Sequence, residues 1–128
     1  RTAILSVGTI AENVTEALGL VENKSKFSHY DMRFVKPLDE VLLHTIFKNY
    51  NTIITVEDGT IKGGFGSAIL EFTSENKYKN NTKILGIPDN FIEHGSVKKL
   101  QHKIGLDANN LAKTFEFYSS TVSCRDQI

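Results

Sequence analysis

The sequence predicts a three-layer α/β/α domain, a mostly parallel sheet with helices on both faces. Two observations carry that prediction. Apolar runs of strand length alternate four times with segments whose apolar residues follow a helical period. Alternation of this kind builds βαβ units, in which each helix crosses over to start the next parallel strand. Finally, the glycine-rich stretch Gly63-Gly64-Phe65-Gly66 follows an apolar run and opens a helical pattern. It therefore falls at a strand's C-terminal end, where α/β domains usually present their function.

The elements follow in chain order. "TAILSVG", Thr2 to Gly8, is a short buried strand. "IAENVTEALGLV" places Ile10, Val14, Ala17, Leu18 and Val21 on one helical face. Thr9 is the expected N-cap, and Glu12 three residues on completes a capping box. "FSHYDMRFV", Phe27 to Val35, is the second strand. Pro37 is expected to open the next helix, where its missing N–H costs nothing, with Asp39 and Glu40 in the first turn. Leu38, Val41, Leu42, Thr45 and Ile46 are its expected buried face. "TIITVE", Thr52 to Glu57, is the third strand, and Phe65, Ala68, Ile69 and Phe72 form the stripe of the helix after the glycines. "ENKYKNNTK" reads as a polar connection and "ILGI" as a fourth strand ended by Pro88 and Asp89. "VKKLQHKIGL" predicts a short helix stopping near Gly105, and Asp107 a cap for a last helix carrying Leu111, Ala112 and Phe115. The final residues have no period, so the domain is expected over 1–120 and a loose tail over 121–128.

Composition bounds the rest. A chain of 128 residues is one domain with room for a single core. With 40% hydrophobic and 23% charged residues, a soluble globule is expected. Lys+Arg and Asp+Glu are both 15, so the chain lacks the field that attracts nucleic acid or an anionic membrane. No run approaches the roughly 20 apolar residues a membrane span needs. Arg1 stands where an initiator methionine would, without a leader, which predicts a piece of a longer protein. The single cysteine, Cys124, has Ser123, Arg125 and Asp126 around it and no histidine; it reads as an inert thiol in a reducing compartment.

Few residues form a pattern that could carry chemistry. The glycine run contains G-x-G, but Ile69 stands at the third glycine position of a dinucleotide fingerprint and five residues separate Glu57 from Gly63. Asp89 lies roughly where a ribose-binding acid would be, and no Gly-Lys-Ser/Thr follows. The simpler reading is that these glycines let a loop and helix start pack closely against another surface. His29, His44, His94 and His102 are not spaced as metal ligands on one helix would be. His44 and His102 read as helix-surface residues, and His94 beside Glu93 as a solvated loop pair or the edge of a site. Asp31 and Arg33 share one strand face. They form either an ion pair or an arginine fork aimed at a carboxylate or phosphate across a domain boundary.

"DMRFVKPLDEVLL", "ITVEDG", "GGFGSAILEF", "LGIPDNFIEHGS" and "IGLDANNLAKTF" occur in one order. Together, over roughly residues 2 to 117, they closely resemble the C-terminal domain of the 1-deoxy-D-xylulose-5-phosphate synthase family. That family belongs to the thiamine-diphosphate-dependent transketolases. The resemblance implies a three-layer domain with a five-stranded mixed sheet, one edge strand running antiparallel, and a fifth strand is expected within Asn90 to Gly95. It implies a cytoplasmic homodimeric enzyme that condenses pyruvate with glyceraldehyde 3-phosphate for isoprenoid, thiamine and pyridoxal synthesis. The family's thiamine diphosphate and magnesium sites are built by its first two domains. No G-D-G motif or metal-ligand asparagine of that kind occurs here, so no catalytic, cofactor or metal residue is assigned. The resemblance implies a role in assembly with the preceding domains and a second subunit, with Asp31, Arg33, Glu57, Gly63, Gly64, Gly66 and Ser67 as the expected interface residues. Two alternatives stand beside it. One is the matching domain of a 2-oxo acid dehydrogenase beta subunit, against which "GIPDNFIEHG" and "GLDANNL" argue. The other is a stand-alone nucleotide-binding module, which requires the glycine loop to bind phosphate.

Overall fold

β1 (Thr2–Val7) is buried along its whole length, as a central strand of a sheet covered on both faces must be. A computed structural model describes residues 1–32, 38–57, 64–86 and 105–125, with backbone alone for 121–125. β1 lies between β2 (Phe27–Asp31) and β3 (Thr52–Glu57), and β3 pairs in turn with β4 (Asn81–Gly86). The order is β2-β1-β3-β4 and every pairing is parallel. The described residues thus form four strands; the fifth strand expected within Asn90 to Gly95 lies outside them, as does the short helix expected before Gly105.

Helices α1 (Ala11–Leu18) and α4 (Ala108–Arg125) cover one face of the sheet; α2 (Glu40–Asn49) and α3 (Phe65–Glu75) cover the other. The strand pleat sorts side chains between the two cores. Ala3, Leu5, Val7 and Ile53 pack with Leu43, Ile46, Phe47, Phe65, Ile69 and Phe72. Ile4, Ile54 and Val56 pack with Ile10, Val14, Leu111 and Phe115. This is the expected α/β/α sandwich.

Several boundaries move. The N-cap of α1 is Ile10, which has no side-chain cap, so the capping box expected from Thr9 does not mark the helix start. Its apolar face is nonetheless the expected one: Ile10, Val14, Ala17 and Val21 are all buried. β2 ends at Asp31, although Met32 extends the ladder with an N–H bond to the Ser6 carbonyl at 2.8 Å; Arg33 to Pro37 lie outside the described residues. α2 starts at Glu40, because Asp39 is its N-cap and its carboxylate accepts the Leu42 N–H at 3.1 Å. The buried face of α2 is Leu43, Ile46 and Phe47; Val41 is 80% exposed and Thr45 is exposed. Leu42 and Leu43 are adjacent and point about 100° apart on a helix. Phe47, drawn against Phe72 and Tyr78 (ring centres 5.6 and 5.1 Å away), decides which of the two turns inward.

β3 has the expected bounds. β4 starts at Asn81, three residues ahead of the apolar run, because Thr52 of β3 offers a register partner to a polar residue just as well as to an apolar one. α4 continues through Arg125, beyond the point from which the tail was expected to be loose. Asn13 ties the segment just before α4 to α1 by donating from Nδ2 to the Leu106 carbonyl at 3.1 Å.

Candidate functional site

Parallel strands bring their C-terminal ends to one side of the sheet. There β3 ends in Glu57, β2 in Asp31 and β4 in Gly86. α3 begins at the same end, and its first N–H groups have no partners within the helix. Glu57 supplies them. The Phe65 N–H donates to Glu57 Oε2 at 3.3 Å, and the Gly66 N–H donates to Glu57 Oε1 at 3.4 Å. The positive end of the α3 dipole is thus met by a carboxylate from the preceding strand.

The glycines make this approach possible. Gly64, the N-cap, has φ 147°, a conformation that a side chain would strain. A Cβ on Gly66 would lie 2.6 Å from Ile84 Cγ2 and 3.3 Å from Glu57 Oε1. At Gly86, a Cβ would lie 3.2 Å from Glu57 Cγ and 3.4 Å from the Glu57 carbonyl oxygen. The glycines at both positions therefore admit the Glu57 side chain between β4 and α3. Ser67, one residue further, is exposed, and Gly63 lies outside the described residues.

A nucleotide or cofactor diphosphate at this helix start would compete with Glu57 for the same two amides, one anion against another. The donors therefore do not fit a diphosphate. Among the described residues no group of three His, Cys, Asp or Glu side chains could hold a metal ion.

Asp31 is exposed at the same sheet end, opposite Ser6 in the register, while Glu57 is opposite Val7. Ser6 shares the sheet face of Ile4, and Val7 that of Leu5. Asp31 and Glu57 therefore sit at one end but on opposite faces, two strands apart, a separation that spacing within either strand could not reveal. Arg33, the other half of the D-x-R pair, lies outside the described residues.

Two polar pairs escaped the sequence reading. His29 Nε2 lies 2.7 Å from Ser6 Oγ, and Ser6 is fully buried. Burial pushes the His29 pKa below its ordinary 6.5, and the nearby Asp31 charge opposes that shift. The signal was available in principle, since parallel neighbours β1 and β2 place Ser6 two residues beyond Ile4, the partner of His29. His44 is the second case. It is half-buried, not a free surface residue: Nδ1 lies 2.6 Å from Tyr78 Oη, and the ring meets Phe72 edge-on at 4.9 Å. His94 and His102 lie outside the described residues. No described helix is long and apolar enough to cross a membrane.

Residues 1–111 match the family described as the transketolase C-terminal domain. The chain belongs to that family. This transketolase C-terminal domain is 53% identical over 112 residues to a 1-deoxy-D-xylulose-5-phosphate synthase of Parabacteroides distasonis, covering 87% of this chain and 18% of the relative. It is 48% identical over 121 residues to the synthase of Cytophaga hutchinsonii, covering 94% of this chain and 19% of that protein. The synthase of Vibrio vulnificus is 37% identical over 118 residues. The chain thus spans under a fifth of the length of these relatives. Among solved structures it is similar to a split-gene transketolase described as an inactive beta4 tetramer, with TM-score 0.69 and 26% identity over 88% of this chain and 37% of that one.

Proposed function

We propose that this transketolase C-terminal domain is the non-catalytic assembly domain of a 1-deoxy-D-xylulose-5-phosphate synthase. The synthase is a cytoplasmic, homodimeric transferase that joins pyruvate to glyceraldehyde 3-phosphate with loss of carbon dioxide. In this reading, thiamine diphosphate and magnesium are held by the domains that precede this one. The interface with those domains or the second subunit includes Asp31, Arg33, Glu57, Gly63, Gly64, Gly66 and Ser67.

The observation that carries the proposal is sequence identity of 53% and 48% to two synthases, confined to under a fifth of their length. The site geometry supports it from another side, because the helix start that could have cradled a phosphate is engaged by Glu57. The similar transketolase chain, of which this domain covers 37%, is described as an inactive beta4 tetramer, which is compatible with an assembly role for a chain that contains this domain.

The test is product formation from pyruvate and glyceraldehyde 3-phosphate by the full-length parent chain and by a version ending before Arg1. The full chain should be active with added thiamine diphosphate and magnesium, and the shortened chain should lose subunit association and activity together. A shortened chain with full activity and an unchanged association state would sink the proposal.

A further inference from the structure

Glu57 joins three elements at one point. It is the last residue of β3, paired in register with Val7 on one side and Gly86 on the other. Its carboxylate reaches the first two amides of α3. Its Cγ packs where Gly86 leaves no side chain, and its Oε1 where Gly66 leaves none. Two close approaches thus converge on one side chain, each tight enough that a Cβ at the glycine would crowd Glu57. If Glu57 served packing alone, a neutral residue of the same shape would serve. The two oxygens on two N–H donors at the positive end of a helix call instead for a carboxylate, which presents two acceptors and a charge where glutamine presents one acceptor and none.

We infer that the Glu57 carboxylate is the positioning group that holds the Gly64–Ser67 turn in its docking geometry. It does so as an internal anion seated on the start of α3. Glu57 acts through that turn and touches no reacting atom. The inference rests on the proposed function, since it takes Gly64, Gly66 and Ser67 as part of the assembly surface. It goes beyond that reading by naming the residue and the charge that shape the surface.

The experiment uses the full-length parent chain with Glu57→Ala and Glu57→Gln, the latter keeping shape so that folding is preserved. Amide exchange over the peptide containing Phe65 and Gly66 is measured together with the subunit dissociation constant. Both are repeated with added sodium formate and, as the neutral control, formamide. In Glu57→Ala, exchange should speed up by about tenfold and the dissociation constant should rise by about tenfold, in the range of losing a helix N-cap. Formate should restore both by seating on the vacated amides, and formamide should not. Glu57→Gln should fall between the wild type and Glu57→Ala.

Unchanged exchange in Glu57→Ala overturns the inference, and so does equal rescue by formamide, which would reduce Glu57 to packing. Faster exchange with an unchanged dissociation constant overturns its docking step. Failure of the proposed function is seen separately, as retained activity and association in the chain that ends before Arg1.

Discussion

β3 and β2 flank β1 in the same sheet and handle polar groups in opposite ways. β3 is buried on both sides from Thr52 to Val56 and ends in a carboxylate engaged by a helix start. β2 is half-buried throughout, carries Ser28, His29 and Asp31 among five residues, and ends exposed. A strand with a neighbour on each side and a helix layer on each face favours apolar residues, because a polar side chain there loses water and costs free energy unless a protein partner replaces it. A strand with a single described neighbour keeps access to water, and can hold a histidine whose partner is a serine on the next strand. The difference teaches where variation is tolerated: in β3 a change acts on the core, in β2 on the titration of the sheet edge.

Four changes test that contrast. The largest effect should come from Ile54→Ala at the centre of β3, where the side chain is fully buried against α1 and α4. Loss of its contacts should cost about 3 kcal/mol in urea unfolding. A cost below 1 kcal/mol would mean that β3 is not the packed centre. Next comes Gly66→Ala, whose Cβ would collide with Ile84 Cγ2 and crowd Glu57 Oε1. It should destabilise by about 1–3 kcal/mol despite alanine's better helix propensity. Ile84→Ala in the same chain should recover part of the loss, which simple helix propensity would not predict.

The third change should stabilise. Thr55 is fully buried in β3 and its Oγ1 has no hydrogen-bond partner among the described residues. Thr55→Val keeps the shape and removes the unsatisfied hydroxyl, so it should raise stability by about 1 kcal/mol. A loss in thermal unfolding would show that the hydroxyl is satisfied in solution.

The smallest effect belongs to the edge. His29 has a folded-state pKa below the ordinary 6.5, chiefly because burial disfavours its charged form, with Asp31 opposing. As the pH falls past about 6.5, the unfolded chain takes up this proton before the folded one does. The contribution of His29 is therefore intact above that pH and is lost as the pH drops toward the folded value. Urea titrations at several pH values should show this slope in the wild type and a flatter one in His29→Asn. Asp31→Asn, by removing the opposing charge, should make the slope steeper.

Much of the fold was legible in the chain. β3 is a short β-branched run ended by an acid, and its expected bounds, Thr52 to Glu57, are the observed ones. The stripe of Phe65, Ile69 and Phe72 was legible for the same reason, since period alone dictates which side of a helix is buried. The face of α2 was not legible. Its sequence carries apolar residues on two adjacent sides, and the choice depended on aromatic partners in α3 and beyond it. The start of β4 was hidden because Asn81 to Lys83 are polar, and only pairing with β3 makes them a strand.

By itself, then, the sequence determined the alternation of strands and helices, the three layers, the glycine junction after β3 and the family to which the domain belongs. These are properties of local period and of residue order, which survive without a partner in space. Tertiary structure alone decided that Glu57, eight and nine residues from the amides it accepts, meets the α3 start. It also decided that His29 finds Ser6, and that Asp31 and Glu57 share an end but not a face. Each depends on strand order and register, set when the apolar faces of the helices are buried against both sides of the sheet, and no spacing within one segment encodes them.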